Sequence, residues 1–242
     1  MNKDKKVLGI LGGMGPLATV DLYKKIVLLT AAANDNAHIH TLIDSDTDIP
    51  DRTAAILSGG KNPLPELMKA RDNLVRAGAE CLIMPCNTAH YYLEALRRDC
   101  PVPFLSMLDC AAHTCAVSYP GKTAVILATR GTLATGLYGR ALEREGVPFF
   151  EPSEAEKDDL MYLIYDVVKA SRPLDEGIPL FRKVLNGLRA RGADYFLLGC
   201  TELPILAMTV PEDGPFVDAT TELAKAAVRA CGYRIQEREI QP

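Results

Sequence analysis

Short apolar runs alternate with longer amphipathic stretches along the whole chain. Residues 7–11 form a continuous apolar run closed by glycines, which is typical of a buried parallel strand. Residues 18–32 then carry apolar side chains at helical spacing. By the same criteria, we predict further strands at 38–43, 81–84, 104–107, 123–127, 195–198 and 216–218, and further helices at 65–77, 90–98, 111–117, 136–145, 160–170, 178–191 and 222–230.

The chain also contains an internal repeat. Residues 78–88 spell G-A-E-C-L-I-M-P-C-N-T, and residues 192–202 spell G-A-D-Y-F-L-L-G-C-T-E. A second pair, G-P-L-A-T at 15–19 and G-T-L-A-T at 131–135, has nearly the same offset: 116 residues between Gly15 and Gly131, and 114 between Cys86 and Cys200. Two matches in one register predict a duplicated unit.

Strand–helix alternation of this kind builds doubly wound parallel sheets. Together with the repeat, it predicts an α/β protein of two pseudo-symmetric doubly wound domains with parallel sheets. The turn-forming segment at 119–121 is the only internal joint that we identify. We therefore expect a first domain at 1–117, on which residues 208–242 pack back, and a second domain at 118–207.

Two of the seven cysteines occupy positions suited to chemistry. Cys86 and Cys200 follow predicted strands, and in parallel sheets ligands bind beyond the carboxyl ends of the strands. Backbone amides there favour the thiolate and can lower a cysteine pKa to roughly 3.5–7.5. Cys81, Cys110, Cys115 and Cys231 instead lie within apolar patterns, where cysteine is a small hydrophobic residue.

Composition narrows the function classes. Hydrophobic residues make up 48% and charged residues 24% of the chain, and the net charge is −4. This balance gives no electrostatic basis for binding nucleic acid or anionic membranes. No apolar stretch is long enough for a membrane span or a signal peptide. An odd number of cysteines without a tight framework favours a reducing, cytoplasmic location.

Three motifs, in order and spacing, carry a resemblance to a known family: G-I-L-G-G-M-G-P-L-A-T at 9–19, M-P-C-N-T-A-H at 84–90 and L-G-C-T-E-L-P at 198–204. They are similar to those of the aspartate/glutamate racemases, and most similar to the aspartate racemase branch. The resemblance covers essentially the whole chain. It implies a cofactor-independent amino-acid racemase with two α/β domains, an active site in the cleft between them, and a homodimer.

The sequence departs from the glutamate racemases of cell-wall synthesis at two places. Those enzymes carry an acidic-Ser-Gly motif after the first strand and a His after the second Cys-Thr. Here Gly12, Gly13 and Met14 occupy the first place and Glu202 the second. The departures favour aspartate as the substrate. Glutamate stays an alternative, because a sequence does not show whether the pocket fits a side chain one methylene longer.

Inversion of an α-carbon explains a need for two cysteines. A proton must leave one face of the carbon and another must be added to the opposite face. One thiolate acts as base while the other residue, still a thiol, acts as acid. We therefore expect Cys86 and Cys200 to be catalytic. By resemblance, Cys86 takes the proton from the D enantiomer and Cys200 from the L enantiomer.

We expect the remaining candidate residues to bind an acidic amino-acid substrate. Asn87, Thr88 and Thr201 are placed to bind its α-carboxylate, although helix capping explains them equally well. Arg52 lies in a segment that resembles the family's arginine-bearing loop, and arginine binds carboxylates in a bidentate manner. A solvated surface arginine is the alternative. The further substrate-binding candidates are Met14, Glu202 and Lys169, the last of which could equally face water.

The same residues support other functions less well. Residues 13–18 fit a G-x-G-x-x-A dinucleotide motif, but Pro16 lies within the turn. Cys86, His90 and Cys200 could ligate zinc, although we expect His90 to be hydrogen-bonded in a helix. No lysine in a phosphate-binding context suggests pyridoxal phosphate, so we predict neither cofactor nor metal. Other paired-cysteine enzymes, namely hydantoin racemases, maleate isomerases and malonate decarboxylases, stay as alternatives.

Overall fold

The computed structural model describes residues 5–236 and shows an α/β protein with parallel sheets. Its strands are β1 (Leu8–Gly12), β2 (Thr41–Ser45), β3 (Cys81–Ile83), β4 (Ala124–Leu127), β5 (Phe149–Phe150), β6 (Tyr195–Leu198) and β7 (Phe216–Asp218). Its α-helices are α1 (Pro16–Leu29), α2 (Arg52–Leu57), α3 (Leu64–Arg76), α4 (Leu93–Arg97), α5 (Met107–Ser118), α6 (Arg130–Ala134), α7 (Leu137–Arg144), α8 (Glu154–Tyr162), α9 (Ile178–Ala190), α10 (Leu203–Ala207) and α11 (Ala219–Ala230). Short 3₁₀ helices and one π-helix, Leu163–Lys169, connect them.

The chain divides into two compact units. Among the described residues, the first contains 5–55, Gly59–Met107 and 220–236; the second contains Ile56–Ser58 and Leu108–Ala219. The expected boundaries at 117 and 207 differ from these because α5 belongs almost wholly to the second unit. Strand β7 also lies in the second unit, where it pairs with β6.

The first unit contains a three-stranded parallel sheet in the order β2-β1-β3. The central strand β1 pairs with β2 from Leu8↔Thr41 to Gly12↔Ser45, and with β3 from Leu8↔Cys81 to Ile10↔Ile83. All three strands therefore end at the same edge of the sheet. The segments that follow them carry Met14, Arg52 and Cys86.

The second unit contains a four-stranded parallel sheet in the order β5-β4-β6-β7. Its central strand β4 pairs with β6 from Ala124↔Tyr195 to Leu127↔Leu198. Ile126 pairs with Leu197 as Ile10 pairs with Ile83 in the first unit, so both partners are displaced by the same 116 and 114 residues as the sequence repeat. The repeat in sequence is thus a repeat in strand pairing.

Each unit has its own apolar core. In the first, α3 buries Leu67, Ala70 and Leu74, which share one helical face, and Leu82 of β3 belongs to the same cluster. In the second, α9 and the π-helix cover β4 and β6 through side chains that include Leu163, Val167, Phe181, Leu185 and Phe196. Each fully buried side chain of this size contributes about 1.5–3 kcal/mol, so packing of the helices fixes the sheets.

Several predicted elements are confirmed, and others are wrong. The strands at 195–198 and 216–218 have the predicted bounds. The strand predicted at 104–107 is wrong: only Phe104 bridges to Leu82, and Met107 already begins α5. The helix predicted at 90–98 is a 3₁₀ helix, Thr88–Tyr92, followed by α4. Strand β5 and helices α2, α6 and α10 are not in the prediction because they are short.

Within residues 5–236, no helix has the length and apolar composition required to cross a membrane. All seven cysteines are free thiols. Cys81, Cys115 and Cys231 are buried and Cys110 is partly buried, which agrees with their assignment to apolar patterns.

The loop after β1 depends on a glycine at position 13. The backbone of Gly13 has a φ of +91°, which side chains rarely adopt, and its N–H donates to Thr19 Oγ1 at 3.0 Å. A Cβ placed there would lie 2.1 Å from the Asp46 carbonyl oxygen, which belongs to the segment after β2. The loops after the two strands are therefore in direct contact at a point with no room for a side chain.

We predict that Gly13→Ala lowers the free energy of unfolding by about 3 kcal/mol, from the left-handed backbone and the collision with Asp46 together. Gly59→Ala is the matched control, since Gly59 has a φ of +65° with open space around its Cβ position. It should cost only about 1 kcal/mol. Urea unfolding measures both, and equal losses would contradict a steric role for Asp46.

Candidate active site

In the first unit, Cys86 lies just beyond the carboxyl end of β3. The backbone N–H of Cys86 donates to the Met84 carbonyl at 2.9 Å, which turns the chain sharply after the strand. The side chains of Cys86, Asn87 and Thr88 are all buried. Asn87 precedes the 3₁₀ helix without capping it through its side chain. The structure thus places the first cysteine motif at the edge predicted from the sequence.

His90 fastens this turn through both ring nitrogens. Nδ1 lies 2.8 Å from the Cys86 carbonyl oxygen, and Nε2 accepts the Met107 backbone N–H at 2.9 Å. Because Nε2 must accept, the ring is neutral with its proton on Nδ1, which donates to Cys86. The expectation that His90 is hydrogen-bonded in a helix is confirmed. A ring engaged in this way holds the cysteine loop in place.

Arg52 joins the loops after β1 and β2. The side chain is buried; Nη1 donates to the carbonyls of Ile49 at 3.2 Å and Pro50 at 3.0 Å, and Nη2 donates to that of Met14 at 3.2 Å. A solvated surface arginine, the alternative considered for this residue, is therefore wrong. The structure brings Arg52 and Met14 together, and the positive charge of the guanidinium is held beside the glycine-rich loop.

In the second unit, Cys200 follows β6 after a single glycine. Gly199 donates its N–H to the Leu127 carbonyl at 2.8 Å, which continues the pairing of β6 with β4. A Cβ on Gly199 would lie 2.8 Å from the ring of Tyr138, a buried side chain of α7. Glycine is therefore required where this strand passes beneath the tyrosine. Tyr138 is a neighbour of the site for which no sequence motif gives a signal.

Cys200 is hydrogen-bonded to a carboxylate two residues along the chain. The thiol donates to Glu202 Oε2 at 2.9 Å, and the Thr201 hydroxyl donates to the same oxygen at 3.1 Å. Lys169 Nζ, at the end of the π-helix, lies 3.7 Å from Glu202 Oε1 and 4.5 Å from the centre of the Tyr165 ring. Four predicted site residues therefore form one cluster: Cys200, Thr201, Glu202 and Lys169.

The charge state of Cys200 differs from the sequence-based expectation. Burial raises the pKa of the Cys200 thiol well above its ordinary value, and the neighbouring charge of Glu202 raises it further, while Lys169 opposes the shift. The predicted lowering of the Cys200 pKa is therefore wrong. Proximity to backbone amides is outweighed here by the loss of solvent and by an adjacent carboxylate.

Residues 5–236 contain no group of three His, Cys, Asp or Glu side chains arranged to hold a metal ion. For the zinc alternative built on Cys86, His90 and Cys200, the ring of His90 is directed to backbone atoms instead. The segments after β3 and β6 each provide a buried thiol, Cys86 in the first unit and Cys200 in the second. Hydroxyl and amide groups follow Cys86 in the sequence, and hydroxyl and charged groups lie around Cys200.

Comparison with known proteins identifies the family. A family model described as Asp/Glu/Hydantoin racemase matches residues 11–227, which is most of the chain. The structure is similar to that of the Picrophilus torridus aspartate racemase, with a TM-score of 0.86, 29% identity and 96% of each chain covered. The chain belongs to the Asp/Glu/Hydantoin racemase family. By family it is a racemase, and hence an isomerase.

Individual relatives differ in their specificity. A broad specificity amino-acid racemase of Bacillus subtilis, RacX, is 24% identical over 92% of this chain and 96% of its own length. A glutamate racemase of Deinococcus radiodurans is 31% identical over 82% of this chain, which spans 63% of that enzyme. The resemblance stated from the three motifs is confirmed at the level of the family.

We predict that His90→Leu destabilises the protein by about 2–5 kcal/mol, because it leaves the Cys86 carbonyl and the Met107 N–H buried without this ring. His90→Gln, which can both donate and accept, should recover part of the loss. His113→Leu is the matched control, since that histidine side chain is largely exposed. Urea unfolding measures all three, and a loss below 1 kcal/mol for His90→Leu would contradict this role.

Proposed function

We propose that this protein is a cofactor-independent racemase that interconverts L- and D-aspartate by proton transfer through Cys86 and Cys200. One observation carries the proposal: each cysteine follows the strand that pairs with the central strand of its unit, and both pairs have the same register. Equivalent positions in a duplicated fold supply two similar groups, which is what the two faces of one α-carbon require. The proposal needs both sulfurs to reach the same substrate.

In the proposed reaction one sulfur is a thiolate and the other a thiol. The thiolate removes the α-proton, the α-carboxylate takes up the developing charge, and the thiol delivers its proton to the opposite face. The roles exchange for the other enantiomer. Cys86 acts on the D enantiomer and Cys200 on the L enantiomer, by the family resemblance. Because each sulfur must differ in protonation from the other, the pair titrates as a unit.

A buried positive charge supports an acidic substrate. Buried Arg52 offers positive charge to the distal carboxylate of an acidic amino acid, while Lys169 Nζ lies 3.7 Å from the Glu202 carboxylate. Asn87, Thr88 and Thr201 offer amide and hydroxyl groups to the α-carboxylate. Met14 contributes through its backbone, whose carbonyl already contacts Arg52. Glu202 in place of a histidine favours aspartate over glutamate, in the light of the departure noted in the sequence.

A homodimer and a cytoplasmic location stay predictions. The homodimer rests on the resemblance and on the frequency of symmetric oligomers. The location rests on the free thiols, which are typical of reducing compartments.

The proposal predicts racemisation of aspartate with no added pyridoxal phosphate, nucleotide or metal, and with no effect of chelators. Cys86→Ala and Cys200→Ala should each lower racemisation by about 100-fold or more, because the missing acid or base cannot be replaced from the same face. In D₂O, the newly formed enantiomer should carry deuterium while recovered substrate keeps hydrogen. Chiral chromatography with mass spectrometry measures both.

Cys100→Ser and Cys110→Ser are matched controls, one in each unit, and should racemise at wild-type rates. The two alanine variants should differ in the enantiomer from which they still exchange hydrogen. A single alanine variant that racemises both enantiomers at near wild-type rates would show that its cysteine is a packing residue. Loss of activity with a chelator and recovery with zinc would contradict the cofactor-independent reaction.

We predict that Arg52→Met lowers kcat/KM for aspartate at least about tenfold more than for alanine, because only the acidic substrate loses a charged contact. The ratio between substrates is diagnostic, since damage to the loops that Arg52 joins should affect both alike. Arg52→Lys, which keeps the charge, should fall between wild type and Arg52→Met. Equal losses for the two substrates would show that Arg52 acts only on the loops.

A further inference from the structure

The two catalytic sulfurs of the proposed reaction have different surroundings. At Cys200 the residue two positions along is Glu202, whose carboxylate accepts a hydrogen bond from the thiol at 2.9 Å. At Cys86 the residue two positions along is Thr88, which has no charge to offer. The duplicated register makes these positions equivalent, so a carboxylate has been placed beside one sulfur of the pair.

We infer that Glu202 and Lys169 are positioning residues that adjust the protonation of Cys200, so that the enzyme without substrate holds Cys200 as the thiol, the state in which Cys200 acts as the acid on D-aspartate. This inference rests on the proposed function and names the residues that distinguish its two sulfurs. Glu202 and Lys169 were both expected to bind substrate; the geometry points instead to the Cys200 thiol as the partner of Glu202 and to Glu202 as the partner of Lys169.

Geometry supports a partner role for Glu202. The carboxylate is buried, and its Oε2 is engaged by two donors of its own loop, the Cys200 thiol and the Thr201 hydroxyl. Its Oε1 faces Lys169 Nζ at 3.7 Å, so the carboxylate charge is balanced from the side opposite the thiol. A carboxylate held between an ammonium group and a thiol is fixed in place, and it repels the carboxylates of an acidic substrate.

The charged and titratable groups facing Cys200 have opposing effects. Burial disfavours the thiolate most; Glu202 disfavours it further through its negative charge and accepts a hydrogen bond from the thiol, and Lys169 favours the thiolate. Tyr138, on α7, is the third such group; burial raises its pKa well above the ordinary value, so it stays neutral. Among these groups, Glu202 is therefore the one whose charge keeps the proton on the sulfur, and Lys169 is the one that limits its effect.

Opposite substitutions should therefore have opposite results. Glu202→Gln removes the negative charge, and its amide N–H can donate to a thiolate, so Cys200 should become more acidic. Lys169→Met removes the positive charge, so Cys200 should become less acidic. A loss of folding would change the reactivity of Cys200 in the same direction for both variants, which is why the sign of each effect carries the test.

The experiment measures the alkylation rate of Cys200 at several pH values with isotope-coded iodoacetamide and peptide mass spectrometry. At pH 8, we expect labelling to be about threefold or more faster in Glu202→Gln than in wild type, and about threefold or more slower in Lys169→Met, because the rate follows the thiolate fraction. Glu202→Asp should lie nearest wild type. Where labelling is too slow to follow, absorbance of the thiolate near 240 nm, taken as the difference from each variant's Cys200→Ser counterpart, gives the same titration.

Glu212→Gln is the matched control, since it makes the same change at an exposed carboxylate of the second unit that pairs with Arg182. It should leave Cys200 labelling as in wild type. The pH profile of aspartate kcat/KM gives a second readout, and its peak should move to lower pH in Glu202→Gln. Since the equilibrium constant between mirror-image substrates is 1, the two directions should change equally.

Unchanged Cys200 labelling in Glu202→Gln, or changes of the same sign in Glu202→Gln and Lys169→Met, would overturn the inference. Failure of the proposed function has a different signature. If the protein racemises no amino acid while the two variants shift Cys200 labelling in opposite directions, the proposed reaction is wrong and the control of this thiol stands.

Discussion

The parallel pairing between a central strand and the neighbouring strand that precedes each candidate cysteine is the constraint on which the candidate site depends. In one unit β1 fixes β3, and in the other β4 fixes β6, with residues paired at matching positions. Hydrogen bonds of a parallel ladder allow no slip of one residue without moving every side chain to the opposite face. Each cysteine follows its strand within three residues, so the register, rather than any contact of the sulfur itself, determines where the thiol lies.

Much of this arrangement could be predicted from the sequence, because it follows from patterns that repeat. Apolar runs of strand length, closed by glycine, identified β1 and β6, and two matching segments predicted the duplicated unit. The predicted strands place Cys86 and Cys200 at strand ends. Because parallel sheets bind ligands at that edge, the two cysteines became candidates for the site. Residues 104–107 misled the prediction because apolar composition does not distinguish a strand from the start of a buried helix such as α5.

The contacts around each sulfur could not be predicted, because they depend on side-chain directions that spacing does not fix. Glu202 follows Cys200 by two residues, yet only the turn after β6 brings its carboxylate onto the thiol. His90 lies close to Thr88 in the sequence, yet its ring accepts a hydrogen bond from the backbone N–H of Met107, a residue distant in the sequence. Arg52 was expected to face a ligand, but its guanidinium also joins two loops through their carbonyls. In each case a charged or polar side chain is hydrogen-bonded to the backbone or to a neighbouring side chain.

The hydrogen bond from Cys200 to Glu202 also bears on chemical durability. Oxidants attack thiolates far faster than thiols, so a sulfur that keeps its proton in a buried site is slow to form sulfenic acid. In the proposed reaction, Glu202 therefore protects the sulfur of Cys200, and not that of Cys86, from oxidation for as long as the substrate is absent. The resting enzyme then holds one sulfur that withstands peroxide and one, Cys86, that is open to it as the thiolate, and the protection of Cys200 ends when its thiol gives up its proton to a substrate.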